Sequence, residues 1–350
     1  MQTVWFMLVA VMIALYVVLD GFDLGAGIVQ LLVSRTEAER ALVLRSIGPV
    51  WDGNEVWLLA GGGTLYFAFP ALYASSFSGF YLPLMMVLWL LILRGISIEF
   101  RNHIDSLVWK PFWDAVFGGA SALLAIFFGA ALGNVVRGVP LDQADEFFLP
   151  LWTNFGLGKN VGILDWYTVL VAVTAFATLL VHGALWVALK TDGALAARAR
   201  AAARFAWWAL ASLTVLITWA SFAIQPRLQE SFAARPWGYV FPLLAIVGLL
   251  GMRAMMRREM PAFLCSAVYI VGMLTSAAFG LYPYVLPSNA DPRAGLTVYN
   301  AAAAPYGLKV GLAWFIPGML LATAYFVYTY RNFAGKVTAE DHGTYSGGSR

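Results

Sequence analysis

The chain has 350 residues, of which 61% are hydrophobic and 12% charged, and its formal net charge is +3. Soluble domains carry about 25% charged residues, so this composition excludes a soluble enzyme and describes an integral membrane protein with room for many spans of roughly 20 residues. The single cysteine, Cys265, excludes an intrachain disulfide and a cysteine-based metal centre, and is expected to act as a small buried apolar residue.

Hydropathy predicts nine spans, at about 4–33, 50–69, 79–99, 113–136, 164–189, 205–225, 239–256, 261–285 and 308–330. The first opens on Val4-Trp5-Phe6-Met7 with no basic residues ahead of it, so no cleavable signal is expected. Its glycines, Gly21, Gly25 and Gly27, allow a kink; Gly61-Gly62-Gly63 in the second span allows close helix approach or a break. Fifteen of the 22 lysines and arginines follow the first, third, fifth and seventh spans or lie in the tail, against six after the second, fourth, sixth and eighth. The positive-inside rule then puts the N-terminus outside and the C-terminus in the cytoplasm. Trp5, Trp152, Trp166, Trp237 and Tyr239 fall where an outer aromatic belt is expected. The alanine- and arginine-rich stretch 190–204 reads as a loop dividing the chain, 138–164 as the longest outer loop, and the end beyond Phe333 as a short disordered tail.

Polar residues inside these spans concentrate in the first third of the chain. Asp20 and Asp23 are three apart and share a helix face, as do Asp52 and Glu55 near the cytoplasmic end of the second span. Arg94 lies near the inner end of the third, with Glu99 and Arg101 just beyond. Charged groups at membrane depth are costly and face partners, water or a pathway. Two readings stand open: a proton file running inward past Asp52, or an ion-pair knot in which Arg94 holds Asp20 or Asp23 and locks helices together. Of three histidines only His182 lies inside a span, where a hydrogen-bonded packing role outweighs haem ligation, which would need a matching second ligand. No phosphate-cradling loop or hydrolytic set is present, and the basic clusters are accounted for by topology, which argues against nucleic-acid binding.

Taken together, Leu19-Asp20-Gly21-Phe22-Asp23-Leu24-Gly25, Trp51-Asp52-Gly53-Asn54-Glu55-Val56-Trp57, Leu93-Arg94-Gly95-Ile96, Gly133-Asn134-Val135-Val136-Arg137-Gly138 and Tyr282-Pro283-Tyr284-Val285-Leu286-Pro287 resemble subunit II of the cytochrome bd-type quinol oxidases, over residues 1 to about 335. That resemblance implies an all-α membrane protein whose nine transmembrane helices form two four-helix bundles plus a peripheral helix. The corresponding segments are 1–136 for the first bundle, 137–285 for the long outer loop and second bundle, 286–335 for the peripheral helix and 336–350 for the tail. It implies a chain in the bacterial inner membrane that binds no cofactor directly, although a structural quinone or lipid tail would fit among its aromatic side chains. The obligate partner it implies is a subunit I carrying haem b and haem d, where quinol is oxidised and oxygen reduced to water. A small single-helix subunit and a partner holding only haem b are compatible with the same resemblance. Residue by residue, it implies a cytoplasmic proton path for Asp52, with Glu55 and Glu99 as further acids of that region. Trp51, Asp23 and Arg94, together with Asp20 of the first-helix signature, would support the haem site. The alternative from another class is a stand-alone proton-coupled transporter using Asp20, Asp23 and Asp52. The crowding of polar groups into the first half counts against it, since such transporters often show paired broken helices in both halves.

Overall fold

The computed structural model describes residues 1–158, 161–290 and 294–337. Lys159, Arg293, His342 and Arg350, with the rest of the tail beyond Val337, lie outside the described residues. In chain order the helices are α1 (Gln2–Val33), α2 (Glu37–Ile47), α3 (Trp51–Ala68), α4 (Pro70–Gly79), α5 (Tyr81–Phe100), α6 (Trp109–Arg137), α7 (Trp166–Lys190), α8 (Gly193–Ile224), α9 (Pro226–Ala234), α10 (Val240–Ala254), α11 (Glu259–Leu281) and α12 (Pro305–Asn332). A 3₁₀ turn, Pro236–Tyr239, leads into α10. Between α11 and α12 an antiparallel hairpin pairs β1 (Tyr284–Pro287) with β2 (Gly295–Thr297), Leu286 opposite Leu296.

Among the described residues eight helices are long and apolar enough to cross a membrane, and a ninth span is obtained if α3 and α4 are taken together. Those two are bent by 119° where Phe69 leaves the helical region and Pro70 starts a new helix, because proline has no N–H to continue the ladder and suits a first helical position. The break therefore falls at Phe69-Pro70 and not at Gly61-Gly62-Gly63. A Cβ on any of those three glycines would meet nothing within 4 Å.

The molecule is organised around α1, which packs against α3, α6, α7 and α11, while α5 pairs with α6, α8 with α7, and α10 with α11. Where lipid surrounds both helices, association depends on close packing and small residues. A Cβ on Gly25 of α1 would lie 2.1 Å from the Leu179 carbonyl oxygen of α7, and one on Gly183 would lie 2.1 Å from the Gly25 carbonyl carbon. The glycines of α1 thus serve helix crossing, and α1 runs unbroken from Gln2 to Val33. Gly129 and Gly133 of α6 meet Ala172 and Thr168 of α7 in the same way, and Gly248 of α10 meets Tyr269 of α11.

Several expected boundaries shift. The stretch 190–204 is no loop: α8 begins at Gly193, so only Thr191 and Asp192 separate it from α7. Alanine and arginine are both strong helix formers, and the same residues that look like a polar linker extend the helix. The short helices α2 and α9 were not expected. Thr36 caps α2 by accepting from the Glu39 amide. Lys110 ties α2 to the α5–α6 connection, reaching Glu37 at 2.7 Å and Asp105 at 2.9 Å. Its hydrogen bonds hold both carboxyls below their ordinary range. Trp5 is buried, its Nε1 donating to the Leu308 carbonyl at 3.1 Å, so it anchors α12 and is no belt residue; Trp152, Trp166, Trp237 and Tyr239 are exposed. Cys265 is half-buried against Gly251. At the end bearing the N-terminus, Trp5, Val139, Leu149, Ile163, Leu286 and Leu296 gather into a second core under the 138–164 segment and the hairpin.

Gly183→Ala is expected to separate α1 from α7 and to cost about 1–3 kcal/mol or more. Gly119→Ala, whose Cβ would meet nothing within 4 Å, is expected to stay within about 0.5 kcal/mol of the parent. Thermal unfolding of the detergent-solubilised protein compares the two.

Candidate functional site

Asp20 and Asp23 lie on the α1 face closed over by neighbouring helices, and both are fully buried. Arg94 reaches across from α5, also fully buried. Its Nη1 donates to Asp20 Oδ2 at 3.0 Å and its Nη2 pairs with Asp20 Oδ1, the two-pronged arrangement that makes guanidinium–carboxylate pairs strong. Of the two partners open to Arg94 in the sequence, the structure selects Asp20. Glu55 approaches from α3, its Oε2 3.7 Å from Arg94 Nη1, with a quarter of its side chain exposed.

Asp23 is held separately. Asn54, one residue before Glu55, donates its Nδ2 to Asp23 Oδ2 at 2.8 Å and to the Leu19 carbonyl at 3.3 Å. The Tyr330 hydroxyl of α12 donates to Asn54 Oδ1 at 2.8 Å. Asp23 Oδ1 and Arg94 Nε are buried without a protein partner. Two carboxyl groups thus meet one guanidinium across three helices, with Asp23 beside them on α1.

The remaining expected residues sit around this centre. Trp51 is half-buried and lays its ring beside Gly95 of α5, where a Cβ would be 3.7 Å away. Asp52, in the first turn of α3, and Glu99, in the last turn of α5, are both exposed. The structure therefore brings together Asp20, Asp23, Glu55 and Arg94, sets Trp51 against them, and leaves Asp52 and Glu99 on the surface nearby.

Sequence reasoning did not foresee Asn54 and Tyr330, whose hydrogen bond joins residues 276 positions apart. It also missed two buried pairs. Arg101, read as a loop cation, is 1% exposed. It grips Asp114 of α6 through Nε at 2.6 Å and Nη2 at 3.2 Å. Gln30 of α1 donates to the Asp114 carbonyl at 3.0 Å. Towards the other end Arg137 pairs with Asp165 and donates to Asn134 Oδ1 at 2.7 Å. Asp165 meanwhile caps α7 by accepting from the Tyr167 and Thr168 amides. That capping box was visible in the sequence as an acid three residues before a threonine at a helix start.

His182 engages Ser266 Oγ at 2.6 Å and the Val18 carbonyl at 2.9 Å, and stacks on Phe263 at 4.7 Å between ring centroids. Both ring nitrogens are occupied in helix packing, so this residue does not fit an axial haem ligand. Among the described residues no group of three or more histidine, cysteine or acidic side chains is arranged to hold a metal.

A sequence profile of the family described as cytochrome bd terminal oxidase subunit II matches residues 1–333. The chain belongs to that family. It is 30% identical to the cytochrome bd-I ubiquinol oxidase subunit 2 of Escherichia coli, over 97% of this chain and 96% of that one. It is 31% identical to the cytochrome bd ubiquinol oxidase subunit 2 of Bacillus subtilis, over 89% of each. The bd oxidase structure from Geobacillus thermodenitrificans shares the fold, with a TM-score of 0.75 at 18% identity, covering 95% of this chain and 98% of that one. The protein is thus a multi-pass bacterial inner-membrane subunit of a respiratory oxidoreductase complex.

Asp20→Asn leaves Arg94 buried opposite a neutral amide. It is expected to cost about 3–5 kcal/mol, the usual consequence of breaking a buried pair on one side. Asp52→Asn, on an exposed carboxylate, is expected to change stability by less than about 0.5 kcal/mol. Thermal unfolding of the purified complex separates them.

Proposed function

We propose that this chain is the haem-free subunit II of a quinol:oxygen oxidoreductase. Its obligate partner, a subunit I, carries the haems and the quinol site, and the electrons of quinol reduce oxygen to water there. The family match over residues 1–333 carries this reading, and the engagement of both His182 nitrogens supports a chain that ligates no haem itself. In the membrane α3 and α4 together count as the ninth span, with the N-terminus outside and the C-terminus cytoplasmic. The first bundle is α1, α3, α5 and α6, the second is α7, α8, α10 and α11, and α12 stands at the periphery with only Leu308 buried.

The chain's own contribution is a proton-uptake path from the cytoplasm. Burial grades along it: Asp52 is exposed, Glu55 one helical turn on is a quarter exposed, and Asp20, Asp23 and Arg94 are fully enclosed. Two carboxyl groups beside one guanidinium, with Asp23 close by on α1, carry more negative charge than Arg94 offsets, and only bound protons remove the excess where charge is expensive. A proton relay needs acids a hydrogen bond or one water apart; Glu55 and Asp20 are both held against Arg94, which itself stays charged. Glu99 adds an acid at the same mouth. Arg94 and Trp51 have the complementary role of holding α1, α3 and α5 in register beneath the partner's haem site. A stand-alone transporter has no support from a second cluster of this kind among the described residues: Asp114 meets two arginines, Arg101 and Arg40, and Arg137 pairs with Asp165, so neither site carries surplus carboxylates.

The complex purified through a tag on this chain is expected to contain a second large membrane polypeptide and to show haem bands in a reduced-minus-oxidised spectrum; one haem-free polypeptide would overturn the oxidase reading. Asp52→Asn is expected to keep those bands while lowering oxygen consumption roughly 10²-fold or more, the scale of a lost proton-transfer group, and Asp52→Glu to retain much of it. Wild-type turnover in the asparagine variant would remove Asp52 from the path. Arg94→Leu is expected to lose haem bands together with activity, and an unchanged spectrum would contradict its supporting role.

A further inference from the structure

Among the described residues, the hydrogen-bond chain Tyr330–Asn54–Asp23 links α12 to the buried carboxylates. The Asn54 side chain has an accepting end and a donating end. Tyr330 donates to the oxygen at 2.8 Å, so the nitrogen faces Asp23, to which it donates at 2.8 Å. Turned by half a revolution, the amide would set its oxygen against the Asp23 carboxylate and its NH₂ against the phenol. The Asp23 carboxylate and the Leu19 carbonyl, both acceptors only, fix which way the amide points, and the Tyr330 hydroxyl, as donor to its oxygen, holds the amide in that place. The other charged groups facing Asp23 are Asp20 on its own helix, Glu55 on α3 and Arg94 on α5.

Tyr330 and Phe333 pack half-buried against the core, although Leu308 is the one buried residue of α12. The segment that follows is also tied down. Lys190, the last residue of α7, donates to the Phe333 and Gly335 carbonyls, the latter at 2.9 Å, and lies 3.6 Å from the Phe333 ring centroid. The Val337 amide returns a hydrogen bond to the Lys190 carbonyl at 2.8 Å. Lys336 donates to the Thr191 carbonyl at 2.8 Å and pairs with Glu259 at 2.8 Å and Asp192 at 3.1 Å. Residues 334–337, expected to begin a disordered tail, are thereby docked, starting four residues beyond Tyr330.

We propose that Tyr330 is a positioning residue for Asp23, acting through the Asn54 amide, and that residues 333–337 form a latch, seated on Lys190, that holds it in place. The inference rests on the reading of Asp23 as part of the proton-handling site.

The test uses the intact complex. Tyr330→Phe keeps the ring and removes the hydroxyl. It is expected to preserve haem content and the KM for quinol, and to lower kcat about three- to tenfold, the equivalent of one net hydrogen bond. It is also expected to shift the infrared band that Asp23→Asn abolishes. Should Asp23→Asn fail to assemble, carbon-13 labelling of aspartate carboxyl groups in the parent and Tyr330→Phe complexes carries the same comparison. Lys190→Ala is expected to shift the same band, and its effect on kcat to vanish in the Tyr330→Phe background, since coupled residues are not additive. An unmoved band with parental kcat in Tyr330→Phe overturns the positioning role, and full additivity of the two substitutions overturns the latch. If Asp23→Asn itself turns over normally, the site reading falls and this proposal with it. An impaired Asp23→Asn beside a silent Tyr330→Phe sinks this proposal alone.

Discussion

The ion pair between Asp20 and Arg94 is the constraint around which the first half of the molecule is built. Removing two charges from water costs several kcal/mol per ion even after relaxation, and mutual attraction offsets this only with good geometry and satisfied hydrogen bonds. The two-pronged contact supplies the geometry. Its burial requires α1 to be enclosed at that depth, and α1 does pack against α3, α6, α7 and α11 there. The glycines beside the acid make this possible: Gly21 and Gly25 let α7 come so close that Leu179 and Gly183 occupy the space a side chain would need. The motif joining aspartates and glycines on α1 is therefore one device, in which small residues admit the neighbour that dries the charge.

A pair sealed this tightly is a poor conduit unless it opens somewhere, and α3 provides the opening. Asn54, Glu55 and Asp52 occupy successive directions around its first turn, so one helix presents an amide to Asp23, a carboxylate to Arg94 and a carboxylate to the surface. The other two buried pairs carry no surplus acid. Arg101–Asp114, with Arg40 3.7 Å from the same carboxylate, fixes α5 to α6 at the basic end, and Arg137–Asp165 fixes α6 to the start of α7 at the other. The three pairs link α1 to α5, α5 to α6 and α6 to α7 in turn, and of the three only the first has surplus carboxylates beside it.

What the sequence disclosed follows from which physical signals are local. Spans were legible because hydropathy is a property of a contiguous window, and hydropathy alone placed the α7 start, although the capping box there is an equally local signal of four residues. The choice of Asp20 over Asp23 was not, since both lie on one face of α1 and only the height of α5 decides between them. Nothing local marks Asn54 or Tyr330, because the bond between them closes over most of the chain. The two misread features share a cause. Arginine density made 190–204 look like a linker, and an N-terminal tryptophan made Trp5 look interfacial. Both inferences ran from residue type to environment, and in each case packing or helix propensity set the environment instead.

The outermost helix shows how little the hydrophobic effect decides once lipid is the solvent. Lipid tails are as apolar as leucine, so α12 gains nothing from burying its greasy surface and must be held by specific contacts. It has them at both ends: the Trp5 indole on the Leu308 carbonyl and the Trp5–Phe315 edge contact near its start, the Tyr330–Asn54 bond and the Lys190 seat near its finish. Between them Phe315, Met319 and Phe326 pack half-buried against the Met12, Tyr16 and Trp57 cluster of the first bundle. A helix whose hydrogen bonds to its neighbours lie at its two ends places its polar ends with more certainty than its apolar body. The end that meets Asn54 is accordingly the part of α12 whose position bears on chemistry.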